Sequence, residues 1–110
     1  MPPSPKKLPV ETATPTIIRQ LFNNGRFFEK VKSGEFTTKM KRNSHPANPP
    51  GNMPVCTRSQ TLCYCKPNGQ VVAIVHQYLQ PDGTVGASGL PDPKYLVLED
   101  RILYLKQSKP

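Results

Sequence analysis

No uninterrupted apolar run in the chain approaches the roughly 18–20 residues that a membrane-spanning helix needs, so no membrane partner is expected. Met1-Pro2-Pro3-Ser4-Pro5-Lys6-Lys7 carries positive charge but no apolar segment after it. That pattern argues against a secretory signal and makes the cytoplasm the expected location. Cysteine is sparse and odd in number, three residues, which agrees with a reducing compartment and not with a disulfide framework. Hydrophobic residues make up only 35% of the chain, so a folded part of roughly 75–85 residues with a modest core, framed by irregular segments, is expected.

Acidic residues are the most unevenly missing type. None occurs between Phe36 and Pro81. Through Lys66 there are 11 basic and 3 acidic residues, and from Pro67 onward 4 of each, so the whole net charge of +8 lies in the first part. Such asymmetry favours a polyanionic partner, nucleic acid first, although net charge also serves solubility.

Catalytic and metal motifs are lacking too. Gly86-Ala87-Ser88-Gly89 contains neither Gly-x-Ser-x-Gly nor the Gly-Lys-Ser/Thr of a P-loop. If a helix began at Asp92-Pro93, the Asp92 charge would repel an anion from its amides. Cys56, Cys63, Cys65 and His76 are the only plausible zinc set. On a strand, however, Cys63 and Cys65 sit about 6.5–7 Å apart, too far for thiolates sharing one zinc. No metal and no cofactor are expected, and buried thiols are the better reading.

What is present is proline, 14 residues, five of them in residues 2–15 and four in 46–54. At 110 residues the chain suits one domain. Residues 1–13 read as a flexible, Pro-rich, basic arm, and 14–107 as a single small α+β domain. Within that domain 37–58 reads as a long Pro-rich basic loop. Thr14 can cap a helix with Pro15 in its first turn, and Ile17, Ile18, Leu21 and Phe22 form one apolar stripe. Asn23-Asn24-Gly25 supplies a left-handed stop. A second short helix is predicted from Arg26 to about Lys32, ended by Gly34. Two short helices around a Gly turn share the outline of a helix-turn-helix, but the pattern is common and the third supporting helix is missing.

From about Thr61 consecutive antiparallel hairpins are predicted. Pro67-Asn68-Gly69 and Pro81-Asp82-Gly83 each read as a type I turn followed by a glycine bulge. They enclose Val71–Leu79, a strand apolar on both faces. The simple register places Cys63 and Cys65 with Val71, Ala73 and Val75, and His76 with Tyr64, Val72, Ile74 and Tyr78; a one-residue shift would exchange the faces. Residues 94–98 read as a helical turn or a strand, and Arg101–Lys106 as a last strand. The expected fold is α+β: one or two short N-terminal helices packed on a three- to four-stranded antiparallel β-sheet made of consecutive hairpins.

The leading functional expectation is a small cytoplasmic, non-enzymatic protein that binds nucleic acid through backbone phosphates. Its contacts would be Lys6, Lys7, Arg19, Arg26, Lys30, Lys32, Lys39, Lys41, Arg42 and Arg58. Tyr64, Tyr78, Tyr95 and Tyr104 could stack bases, but the cations concentrate before Lys66 and three of the tyrosines after it, which favours phosphate binding by arm, helices and loop. One alternative is a metal-independent ribonuclease of the toxin type, with His76 as acid or base, Tyr78 beside it and Arg101 holding the phosphate. Another is a protein-interaction module whose partner docks on residues 39–58.

Overall fold

The computed structural model describes residues 8–45, 53–86 and 89–105. The element order is β1 (Val10–Ala13), α1 (Pro15–Asn24), α2 (Phe27–Lys32), β2 (Thr37–Ser44), β3 (Arg58–Cys65), β4 (Val71–Leu79), β5 (Asp92–Val97) and β6 (Ile102–Leu105). The six strands form one sheet in the order β1-β6-β5-β4-β3-β2. All neighbours are antiparallel except β1 and β6, which run parallel. The α+β character agrees with expectation, but a three- or four-stranded, purely antiparallel sheet does not.

Two strands account for the difference, both hidden where irregular chain was expected. β1 lies inside the supposed arm. It is held by backbone pairing to β6, beginning with Ile102 N–H donating to the Pro9 carbonyl at 2.8 Å. β2 occupies the first part of the supposed 37–58 loop. All eight of its residues are exposed, so Thr-Thr-Lys-Met-Lys-Arg-Asn-Ser has no apolar alternation to betray a strand. Backbone pairing to β3 supplies what side-chain patterning did not.

The two turns form as predicted. Gly69 N–H donates to the Lys66 carbonyl and Gly83 N–H to the Gln80 carbonyl, both at 2.9 Å. Asn68 and Asp82 each accept the amide two residues on, at 2.9 and 3.0 Å. Gly69 and Gly83 adopt φ of 91° and 89°, the left-handed region that closes a type I turn with a bulge.

The register beyond the first turn differs from expectation. The pairing slips between Tyr64 and Cys65, so Val72 becomes an extra residue, Tyr64 faces Ala73 and Cys63 faces Ile74. One bulged residue exchanges the faces. Tyr64 therefore joins Ala73 under the helices. Cys63 instead shares the opposite face with Ile74, and His76 follows it two residues on. Both Cys63 and Cys65 are buried and free.

Helices cover one face. Leu103, Leu96, Ala73 and Tyr64 form one row across β6, β5, β4 and β3, and each is at most 3% exposed. Ile18 and Phe22 of α1 and Phe27 of α2 belong to the same cluster. Phe22 lies 6.0 Å from the Tyr64 ring and stacks on Phe27 at 5.6 Å. Thr14 caps α1 through its hydroxyl, which accepts the Ile17 amide at 3.2 Å. The stop differs in detail: Gly25 keeps a right-handed φ of −79°, and Arg26 takes the left-handed conformation at φ 56°. Gly25 is required for space, because a Cβ there would run into the Phe27 ring.

A candidate nucleic-acid interface

The next row of the sheet points away from the helices. It runs without a break across all six strands: Thr12, Tyr104, Tyr95, Ile74, Cys63 and Lys39. Two residues along β3 and β4, and three along the bulged β2 and β5, Arg42, Thr61, His76 and Asp92 form a parallel row on the same face. Among the described residues no helix covers this face.

The cations divide into three groups. Lys6 and Lys7 lie outside the described residues. Arg19 contacts Asp92 at 3.4 Å, and Lys30 contacts Glu35 at 3.8 Å. The Lys30 ammonium also stands 5.6 Å from the Phe36 ring, and that of Lys32 stands 4.6 Å from Phe28. Arg26, the left-handed residue before α2, is exposed and has no ion-pair partner within 4.0 Å among the described residues. The third group is Lys39, Lys41 and Arg42 on β2, with Arg58 at the start of β3. Among the described residues none of these four has an ion-pair partner within 4.0 Å. The expected ten-residue binding set is therefore not one patch, and β2 gathers three of its unpaired cations, Lys39, Lys41 and Arg42.

β2 also removes the separation between cations and tyrosines. Lys39 and Arg42, distant in sequence from Tyr95 and Tyr104, stand on one sheet with them because the outermost strand is drawn from the supposed loop. Sequence reasoning missed this arrangement. The available signal was the acid-free stretch before the first hairpin, which a free basic edge strand uses to discourage edge-to-edge association.

His76 sits in the middle of the sheet. Its Nε2 shares a hydrogen bond with Ser59 Oγ at 2.8 Å, and Tyr78 meets the ring edge-on at 4.8 Å. Burial lowers its pKa from the ordinary 6.5, with the Lys94 charge acting in the same direction and Asp92 opposing both. At neutral pH the ring is uncharged. A crevice of about 220 Å³ brings Arg19, His76, Tyr78 and Asp92 together. Arg101 is not among them. It follows the end of β5, whereas His76 pairs with Asp92 at its start, a separation of roughly 20 Å at strand rise.

Among the described residues no group of three or more His, Cys, Asp or Glu side chains is placed to hold a metal ion. Cys56 is exposed, while Cys63 and Cys65 are buried. No described helix is long and apolar enough to cross a membrane. Comparison with protein families, curated proteins and solved structures finds no match.

Proposed function

We propose that this is a small, cytoplasmic, non-enzymatic protein that binds nucleic acid through its phosphates, centred on β2. One observation carries the reading: β2 is exposed along its whole length and presents Lys39, Lys41 and Arg42 without acidic partners among the described residues. Exposed, unpaired cations are available to neutralise phosphates, and the counterions condensed on the nucleic acid are then released, which drives binding. Arg58 extends the same edge. The ribonuclease alternative has less support, because His76 and Tyr78 lack Arg101 and no second histidine joins them. For the protein-interaction alternative, part of the proline-rich stretch, residues 46–52, lies outside the described residues.

Affinity for DNA and RNA of arbitrary sequence is expected to fall steeply with rising salt. Replacing Lys39, Lys41 and Arg42 by Gln should reduce the slope of log K against log salt by roughly two to three. Affinity that ignores salt defeats the reading, and a triple variant with unchanged binding removes β2 as its centre.

A further inference from the structure

The four tyrosines do not share one fate. Tyr64 is 1% exposed and packs on Phe22, and Tyr78 packs on His76. Tyr95 and Tyr104 have neither a ring partner nor a hydroxyl hydrogen bond among the described residues. They are each other's cross-strand neighbours on the face without helices. Tyr104 is 44% exposed, and Tyr95 is partly buried. An aromatic cross-strand pair can stabilise a sheet by itself, but Tyr104, 44% exposed, also keeps ring surface within reach of a ligand.

Charge on that face is complementary to a polyanion. Lys39 lies in the same six-strand row as the two tyrosines, three strand spacings or about 14 Å from Tyr95. Arg42 stands three residues along β2, returned to the same face by the bulge between Met40 and Arg42. The only acidic residue that strand pairing places there is Asp92, whose carboxylate is already engaged by Arg19.

We infer that the open face binds single-stranded nucleic acid in preference to duplex. The strand crosses β2 to β6, with its phosphates on Lys39 and Arg42 and its bases stacked on Tyr95 and Tyr104. This rests on the nucleic-acid reading above and adds to it. Phosphate contacts alone accept duplex and single strand alike, whereas a tyrosine ring can stack only on a base that is not already stacked in a helix. Every base offers a π-face, so little sequence preference follows. Running across the strands lets one oligonucleotide touch both the basic edge and the aromatic pair.

The experiment uses the full chain with a 12-nucleotide single strand and a duplex of the same sequence, both at one fixed low salt concentration. The chain contains four tyrosines and no tryptophan, so quenching of tyrosine fluorescence reports stacking directly. The single strand should bind more tightly and quench the emission. Tyr104→Leu should lower single-strand affinity about fivefold to a hundredfold, leave duplex affinity unchanged, and be rescued by Tyr104→Phe. The exposed position keeps the variant folded, which circular dichroism verifies. Joint substitution of Lys39 and Arg42 by Gln should weaken both ligands. Equal affinity for duplex and single strand, or a Tyr104→Leu protein that binds as the wild type does, overturns the inference and leaves phosphate binding standing. Failure to bind either ligand at low salt overturns both.

Discussion

Gly25 shows how a single residue can serve an end other than the one its type suggests. Glycine at a helix end ordinarily accepts a left-handed φ, yet that task falls to Arg26. A methyl group at residue 25 would meet the Phe27 ring, itself buried and stacked against Phe22, as well as the Leu21 carbonyl. Neither neighbour can yield. Gly25→Ala should therefore destabilise the fold by about 1–3 kcal/mol, the usual cost of overpacking, read as a lower urea midpoint with unchanged slope. An unaltered midpoint would mean that the helix junction shifts freely. His76 makes a second prediction at this scale. Its folded pKa is lowered, so the unfolded chain takes up the proton first as pH falls. The stability associated with the neutral ring is complete above about pH 6.5 and declines as pH drops below that value. Urea unfolding at pH 7.5 and 5.0 should show a larger acid-side loss for the wild type than for His76→Gln. Identical losses would assign the acid sensitivity to other groups.

Among the elements, those that announce themselves do so by chemistry that acts within a few residues. Thr14 and Pro15 mark the start of α1, and the Pro-Asn-Gly and Pro-Asp-Gly triplets specify both hairpin turns. Each works through its own backbone preferences whatever the rest of the chain does. β1 and β2 are illegible for the opposite reason. Their residues are mostly exposed, and what makes them strands is an amide row on β6 or β3 from elsewhere in the chain. The slip at Val72 belongs to the same class. Turn chemistry sets the register at Lys66 and Gln70, but a bulge a few residues further on is settled by which side chains fill the space under α1 and α2. There Tyr64, with its ring on Phe22, occupies the helix side in place of Cys63. The site follows suit. Its cations and tyrosines were visible one by one, whereas their meeting on one face depended on β2, which patterning could not supply.

The whole molecule is a sheet with two dissimilar faces. One is closed by α1, α2 and a compact aromatic cluster; the other carries an unpartnered tyrosine pair in line with a basic edge. The division concentrates the aromatic packing on one side, while the other is buried at Cys63 and exposed toward β2 and Tyr104. It also explains why a net charge of +8 is tolerated. The unpaired cations of β2 stand on an exposed edge in water, whose high dielectric keeps their mutual repulsion to about 1 kcal/mol or less per close pair.

The parallel pairing of β1 with β6 has a kinetic consequence. It sets residue 10 beside residue 102, so almost the entire chain must be ordered before that contact is gained. The β3–β4 hairpin, in contrast, closes a loop of a few residues around Pro67-Asn68-Gly69. Loop-closure entropy therefore favours early formation of the hairpin and late arrival of β1. Val75→Ala should slow refolding, whereas Ala13→Gly should leave the refolding rate nearly unchanged and speed unfolding instead. Stopped-flow measurement of both limbs separates the two, and a marked slowing of refolding by Ala13→Gly would reverse the order. A last-docking edge strand is also the first to leave. In the native state the backbone amides of β1 should exchange with solvent through a local opening well below the global unfolding free energy, while those of β4 wait for the whole sheet to come apart.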